Sequence, residues 1–145
     1  MARFSTGATS TTGGTAARPI GSIYSAAATR GTLREIGVFN TTDVACAMRI
    51  VRLTAQGTPG TGLTEDEQDP DASPPLCTAF NSHSADATVG NDCGYRVQMG
   101  AAKGSGIVFT FGASGLVMVI GTANGIGILP IGTGQICEFY FVWDE

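Results

Sequence analysis

The last third of the chain has the clearest pattern of apolar and polar positions. It consists of four short apolar runs separated by glycine-containing breaks. The runs are Ile107–Phe111, Leu116–Ile120, Gly125–Pro130 and Gln135–Trp143. Short runs that are rich in β-branched and aromatic residues and bounded by Gly, Asn or Pro are typical of strands, not of helices. This stretch therefore predicts the core of an all-β domain.

The last run alternates between two faces. Its two sets of side chains are Cys137, Phe139, Phe141 and Trp143 on one face, and Ile136, Glu138, Tyr140 and Val142 on the other. Successive side chains of a strand point to opposite sides, so the first face is predicted to be buried. The run Leu116–Ile120 is apolar on both faces, which is expected of a strand between two layers or at a contact between subunits.

Strand patterns also occupy the earlier part of the chain. They cover Pro19–Ala26, Thr32–Asn40, Cys46–Thr54 and Tyr95–Met99. Proline cannot donate a hydrogen bond to a neighbouring strand, so the first of these is predicted at a sheet edge. About eight or nine strands, with turn residues roughly every 8 to 12 positions, indicate a two-sheet β-sandwich of jelly-roll or Greek-key type. An up-and-down barrel is the alternative.

Two breaks in the pattern predict hairpin turns. The residues Asn40–Asp43 (NTTD) suit a hairpin loop of four or five residues between two strands. The pair Asn124-Gly125 is a preferred type I′ turn directly before a strand.

The N-terminal segment, residues 1–17, is rich in Ser, Thr, Gly and Ala and has only Arg3 and Phe4 as potential anchors. Fixing the backbone costs roughly 1–2 kcal/mol per residue, and this segment has little apolar surface to offset that cost. We expect an extended N-terminal arm that is held by a neighbouring molecule. Residues 18–145 are then expected to form a single β-sandwich domain, because 145 residues fit one domain.

Charge is divided unevenly along the chain. Residues 1–62 carry six arginines and two acids, whereas residues 63–145 carry two basic residues and ten acids. Either complementary patches bring copies or partners together, or the fold interleaves the two halves and evens out the field. Arg49 and Arg52 fall on opposite faces of their strand, and one of them is expected to pair with a carboxylate such as Glu35 or Glu138. The acidic total and the absence of a basic run argue against nucleic-acid binding.

The longest break in the pattern is Ala55–Pro75. It contains five acids in seven residues, namely Glu65, Asp66, Glu67, Asp69 and Asp71. Clustered carboxylates suit Ca²⁺, but the glycine and the closing glutamate of an EF-hand loop are missing at their positions. The sequence therefore predicts a solvated or partner-facing loop.

The segment Leu76–Gly94 holds the residue types used in catalysis. They are Cys77, Ser82, His83, Ser84 and Asp86. Only their proximity in sequence connects them, and no GxSxG motif occurs. A polar surface loop with a hydrogen-bonded histidine is predicted, and no catalytic, cofactor-binding or metal-binding residue is assigned.

Four cysteines are present in the chain. Cys46 and Cys137 lie in strand patterns and are expected to be small buried hydrophobic residues. Cys77 and Cys93 flank a loop-rich stretch and could form a disulfide. With a single histidine and no CxxC spacing, a zinc site is not expected.

The start of the chain lacks the apolar core of a secretory signal, and no apolar run is long enough to span a bilayer. We expect synthesis in the cytoplasm and no membrane partner.

Three blocks of the sequence carry a resemblance to a known family. They are TLREIGVFNTT with IVRLTAQGTPGT, EDEQDPDASPP leading to FNSHSADATVG, and TANGIGILP ahead of an aromatic strand that ends in Asp144 and Glu145. Over roughly Arg18 to Glu145 the chain resembles small virion proteins of tailed bacteriophages, which are associated with the capsid exterior. The four cysteines and the aromatic end EFYFVW depart from that resemblance.

The resemblance implies a capsid decoration or cement protein on the virion, a β-rich and often trimeric module that clamps neighbouring major capsid subunits. Interface candidates are Arg3, Phe4, Arg18, Arg30, Arg34, Glu65, Asp66, Glu67, Asp69 and Asp71. The alternative is a carbohydrate- or receptor-binding sandwich of a phage head or tail, since a fold of this kind does not fix function. An exposed aromatic platform built from residues such as Tyr24, Phe80 or Tyr95 would favour that alternative.

Overall fold

All residues from Met1 to Glu145 are described by a computed structural model, in which eleven strands form two antiparallel sheets and no helix occurs. The strands are β1 (Arg3–Thr9), β2 (Gly21–Tyr24), β3 (Thr32–Asn40), β4 (Cys46–Ala55), β5 (Asp66–Glu67), β6 (Thr78–Asn81), β7 (Thr88–Met99), β8 (Gly106–Thr110), β9 (Leu116–Val117), β10 (Gly125–Ile131) and β11 (Cys137–Asp144). The first sheet has the order β5-β1-β11-β3-β8, with β9 also paired to β3, and the second has the order β6-β2-β10-β4-β7. The predicted all-β, two-sheet β-sandwich is confirmed.

No two consecutive strands pair with each other, so the fold contains no β-hairpin. The hairpin predicted at Asn40–Asp43 is therefore wrong, because β3 lies in the first sheet and β4 in the second. The Asn40 side chain is buried, donates to the carbonyl of Val44 at 2.7 Å and accepts from the Thr42 N–H at 2.9 Å. These bonds form an Asx-type turn that carries the chain from one sheet to the other.

The type I′ turn predicted at Asn124-Gly125 is also wrong. That turn requires positive φ at both central residues, whereas all positive-φ residues of the chain are other glycines. Instead, the Asn124 N–H donates to the carbonyl of Gly121 at 2.9 Å, and its side-chain amide donates to the carbonyl of Ile120 at 2.7 Å. The asparagine closes a loop that precedes β10.

The main core lies between the two sheets and is centred on β11. As predicted, Cys137, Phe139, Phe141 and Trp143 are all buried on one face. Across the core, Gly21 of β2 lies directly against the ring of Phe139, where any side chain would collide with it. Burial of this aromatic face is the main contribution of β11 to stability.

The expected N-terminal arm is in fact a strand of the first sheet. β1 pairs with β11 along its whole length, from Arg3 opposite Asp144 to Thr9 opposite Glu138. Phe4 is 1% exposed and stacks on Trp143, with ring centroids 5.8 Å apart. Burial of the single large side chain Phe4 opposite Trp143 therefore offsets the cost of ordering a segment that has few other apolar residues.

Strand β2 is interior, not at an edge as predicted, because it lies between β10 and β6. Pro19 precedes the strand, so its missing N–H removes no ladder bond, and its carbonyl accepts from the His83 N–H at 3.0 Å. A second apolar cluster covers the outer face of this sheet. It contains Tyr24, Val51, Leu53, Ala87 and Leu129. β2 and most of β10 are consequently buried on both faces.

Other predicted elements differ mainly in length. Thr32–Asn40 is confirmed as β3, and the next predicted strand ends one residue later, at Ala55. Tyr95–Met99 is the end of a twelve-residue strand that begins at Thr88 and carries irregular register against β4. Only Leu116–Val117 of the predicted strand Leu116–Ile120 is a strand.

Candidate protein-binding surface

Ion pairs connect the two halves of the chain. The pairs are Arg3 and Arg34 with Asp144, Arg18 with Asp86, and Arg49 and Arg96 with Asp92. Four arginines of the basic half thus neutralise acids of the acidic half, which supports the interleaved arrangement. As expected, one of Arg49 and Arg52 pairs with a carboxylate, but the partner of Arg49 is Asp92, 3.6 Å away, and not Glu35 or Glu138.

Asp144 is the carboxylate that accepts the most hydrogen bonds from arginine side chains. Its Oδ1 accepts from Arg3 Nε at 2.7 Å, and its Oδ2 accepts from Arg34 Nε at 2.6 Å. The hydrogen bond from Arg3, followed by that from Arg34, holds the pKa of Asp144 below its ordinary value despite burial. Four interface candidates therefore make contacts within the molecule: Arg3 and Arg34 pair with Asp144, Arg18 pairs with Asp86, and Phe4 lies in the core.

Arg30 and Arg52 have no carboxylate within ion-pair distance. Arg30 is exposed, and Arg52 donates from Nη1 to the carbonyl of Val117 at 2.8 Å. With Ala28, Thr29 and residues 117–120 they line a groove of about 610 Å³, here called the arginine groove. Its charge is positive and is not neutralised by any ion pair of the chain.

The floor of the arginine groove comes from the segment that is apolar on both faces. Met118 points inward, where it is buried, and its N–H donates to the carbonyl of Gly31 at 2.9 Å. Val119 and Ile120 remain 57% and 49% exposed. The segment is not a strand between two layers, as one of the two expectations had it. Its role in a contact between subunits stays a prediction.

The acidic segment Glu65–Leu76, here called the acidic loop, forms the edge of the first sheet. Asp66 and Glu67 constitute β5 and pair with Ser5 and Phe4. Glu65 accepts from the Ala79 N–H at 2.7 Å, and Asp69 accepts from the Asp71 N–H at 3.1 Å. Asp66, Glu67, Asp69 and Asp71 are exposed, Glu65 is half-buried, and none of the five forms an ion pair.

The acidic loop ends in an exposed apolar side chain. Leu76 is 59% exposed, while its N–H and that of Cys77 donate to the Glu145 carboxylate at 2.7 and 3.0 Å. A hollow of about 490 Å³ lies between Leu76, Asp69 and the N-terminus. Thr29 lines both this hollow and the arginine groove, so the two features adjoin at one end of the sandwich. We call the arginine groove and the acidic loop together the binding end.

The residues around His83 form a buried structural site, and the predicted polar surface loop is wrong there. His83 is 3% exposed, and its Nε2 lies 2.8 Å from the Oγ of Ser22, which is fully buried. Burial lowers the pKa of His83. Ser82 Oγ accepts from the N–H groups of Thr11 and Thr12, at 3.0 and 3.2 Å. These polar groups hold the loop between β1 and β2 in place.

The other candidate residues for catalysis or metal binding are dispersed. Asp86 pairs with Arg18 on the surface, 2.7 Å apart, and does not orient His83. No group of three or more His, Cys, Asp or Glu side chains is placed to hold a metal ion.

All four cysteines are free, so the bridge considered between Cys77 and Cys93 is absent. Cys46 and Cys137 are buried in the main core, as predicted. Burial raises the pKa of the Cys137 thiol to about 12 and that of Cys77 further. Burial thus favours the protonated form of both thiols.

The aromatic residues that would favour glycan binding do not form an exposed platform. Tyr24 is fully buried, and Phe80 is half-buried and packs edge-on against it, with ring centroids 6.0 Å apart. Tyr95 is 37% exposed, and its ring packs edge-on against Phe111, with ring centroids 4.9 Å apart. The three rings are thus used in intramolecular packing.

The structure adds residues that the sequence did not single out as interface candidates. They are Arg52 and Leu76, which join Arg30, the five acids and the previously predicted contact residues Val119 and Ile120 at the binding end. Two signals in the sequence pointed to this surface, namely the apolar character of Leu116–Ile120 on both faces and the run of acids from Glu65 to Asp71.

No helix of the structure could cross a membrane. Comparison with known proteins gave no match to a family model, to a curated protein or to a solved structure.

Proposed function

We propose that this chain is a structural protein of a bacteriophage virion, which attaches to the outside of the capsid lattice as a decoration or cement protein. The observation that carries this proposal is the binding end. Exposed apolar side chains there lie beside charges of both signs that no residue of the chain neutralises. Apolar surface rimmed by polar groups is typical of protein–protein contact sites.

The composition of the binding end favours a protein partner over a small molecule. The arginine groove is open and offers aliphatic side chains with two guanidinium groups, and arginine is enriched at protein interfaces. The acidic loop lies at the same end, along the edge of the first sheet. The sequence resemblance supplies the class of partner, the major capsid protein, because nothing in the binding end itself specifies it.

The direct test is addition of the purified protein to expanded capsids that lack it. We expect saturable binding at a stoichiometry fixed by the lattice, and a higher temperature of capsid disruption, because many weak contacts act together on a shell. Protein that binds no capsid, and instead binds glycans on an array, would replace this proposal with the carbohydrate-binding alternative.

A matched pair of variants locates the contact. Val119→Asp places a charge in the arginine groove, whereas Val44→Asp makes the same change at an equally exposed valine. Val44 accepts from Asn40 at the end of β3, and the groove adjoins the start of the same strand, where Val117 pairs with Thr32. Val44 therefore lies at the opposite end of the sandwich. We expect capsid binding to be lost in Val119→Asp and retained in Val44→Asp.

A further inference from the structure

We propose that the arginine groove binds the acidic loop of a second copy of this chain, and that two copies form a two-fold symmetric dimer through their binding ends. The dimer rests on the proposed function in one respect, the use of the binding end for protein contacts. In the free protein this surface binds a second copy, which the capsid lattice displaces on attachment.

Charge complementarity identifies the occupant. Arg30 and Arg52 have no acidic partner, and Glu65, Asp66, Glu67, Asp69 and Asp71 have no basic one. The five other arginines of the chain are all paired, so the arginine groove and the acidic loop are its two main unneutralised patches. Opposite patches of this kind attract each other and fix the orientation of an encounter.

Each of the two patches also carries exposed apolar side chains that can pack against those of the other. The acidic loop ends in Leu76, which is 59% exposed. The arginine groove presents Val119 and Ile120 beside its two guanidinium groups. A loop that places its carboxylates on Arg30 and Arg52 can therefore bury its leucine on the aliphatic floor. Removal of exposed aliphatic surface from water favours association and offsets part of its cost.

The position of the two patches determines the symmetry. Thr29 borders both the arginine groove and the hollow beside the acidic loop, so the patches lie side by side. A two-fold axis between them lets each groove receive the partner's loop, and one interface then contains two identical contacts. A ring of three copies would instead need the groove and the loop on different sides of the molecule.

The edge strand β5 favours a side-chain contact over continuation of the sheet. Its two residues, Asp66 and Glu67, are both exposed acids. Charged residues on an exposed edge strand discourage backbone pairing with another chain. The two copies are therefore held by ion pairs and apolar packing.

The first measurement is the mass of the free protein by light scattering across a concentration series. We expect about 30 kDa at high concentration, twice the 14.8 kDa of one chain. The dimer should dissociate as salt is raised, because exposed charges are screened within about 10 Å at 0.1 M ionic strength. A monomer at every concentration would overturn the dimer, and so would a trimer.

Charge reversal supplies the decisive test. Arg30→Glu with Arg52→Glu should weaken self-association at least about tenfold, because like charges then face each other. Glu67→Arg, Asp69→Arg and Asp71→Arg together should do the same. Lys103→Glu is the control, since Lys103 is exposed, unpaired and lies in the loop that follows Gly100, whose carbonyl accepts from Asn40 at the opposite end.

The two charge-reversed proteins should form a dimer when they are mixed. In the mixed dimer one contact has both charges reversed and the other has both natural charges, so both contacts are attractive. Circular dichroism verifies that each variant is folded. A dimer that survives the reversal in folded protein, or a mixture that stays monomeric, would overturn the proposed pairing.

Capsid binding measured in parallel separates this inference from the proposed function. A monomer that still binds capsids would remove the dimer and leave the proposed function in place. A dimer that is lost on charge reversal and restored by mixing, in a protein that binds no capsid, would remove the proposed function and leave the dimer in place.

Discussion

Arg3 donates two hydrogen bonds to Asp144, from Nε to Oδ1 at 2.7 Å and from Nη2 to Oδ2 at 3.1 Å, and thereby joins the first strand to the last. Arg34 of β3 donates to the same carboxylate at 2.6 Å. Three neighbouring strands of the first sheet thus meet at one buried acid, close to the binding end. The strength of this junction can be measured.

Asp144→Asn keeps the size of the side chain and removes its charge. Because the Asp144 side chain is only 9% exposed, the two arginines are left facing a neutral group. We expect a loss of about 2 kcal/mol in the free energy of unfolding, measured by urea denaturation. Glu138→Gln, at an exposed acid of the same strand, is the control and should change stability by less than about 0.5 kcal/mol. Equal losses in both variants would contradict a special role for Asp144.

Acid should remove the contribution of Asp144. Its pKa lies below the ordinary value of 3.8 in the folded state, mainly because of the hydrogen bond from Arg3. A depressed carboxyl pKa contributes stability that is fully present above the unfolded pKa and is lost as pH falls through the folded pKa. The difference in stability between the natural chain and Asp144→Asn should therefore be constant near neutral pH and shrink below about pH 4.

That difference isolates Asp144 from other titrating groups. Burial lowers the pKa of His83, so both proteins should also lose stability as pH falls through the unfolded histidine value of 6.5. Asp92 titrates in both proteins as well, with its pKa lowered mainly by the N–H of Gly94. A difference that stays constant down to pH 2 would show that the Asp144 charge does not act through these ion pairs.

The sequence predicted the elements whose signals are local. Alternation in Cys137–Asp144 identified the buried face of β11, because the period of a strand can be read from its own residues. The strand Arg3–Thr9 was missed, because its partner lies more than 120 positions away and only the stacking of Phe4 on Trp143 makes burial favourable. The turn at Asn40 has the same residues whether the next strand pairs with β3 or crosses to the other sheet.

The binding end could be predicted only in part, for a related reason. The exposed acids Asp66–Asp71 form one continuous stretch and are visible in the sequence. The arginine groove is assembled from Arg30, Arg52 and Val117–Ile120, which come together only because β9 pairs with β3 and Arg52 bonds to Val117. No local pattern reports such an assembly.

The N-terminal strand should be essential for folding. Phe4→Ala removes a ring that is 1% exposed and stacked on Trp143, and should cost about 3 kcal/mol of stability. Thr11→Ala, at an exposed residue just beyond the strand, is the control and should have little effect. Chemical denaturation followed by tryptophan fluorescence measures both.

Deletion of residues 1–9 tests the same strand more severely. It exposes the edge of β11 and the ring of Trp143, so we expect loss of cooperative unfolding and aggregation. A truncated protein that unfolds with the natural midpoint would show that this segment is a dispensable arm after all.

Two strand glycines that lie against aromatic rings should respond differently to the same substitution. An alanine methyl at Gly21 would meet the buried ring of Phe139, 2.6 Å from Cζ. At Gly37 it would overlap the ring of Tyr140, which is half-exposed and can swing toward solvent. Neither glycine has positive φ, so backbone strain does not distinguish them. We expect Gly21→Ala to cost about 2 kcal/mol and Gly37→Ala less than about 1 kcal/mol, measured by thermal and urea unfolding.

A double substitution shows whether the collision with Phe139 is the cause. Phe139→Leu alone should destabilise the core, because it removes part of a buried ring. Combined with Gly21→Ala, it should cost less than the sum of the two single changes, since the new methyl occupies the space that the ring has vacated. Strictly additive losses would mean that Gly21 is required for another reason. The sandwich depends on this close approach of β2 to β11, because Gly21 of the second sheet lies directly against the aromatic face of the first.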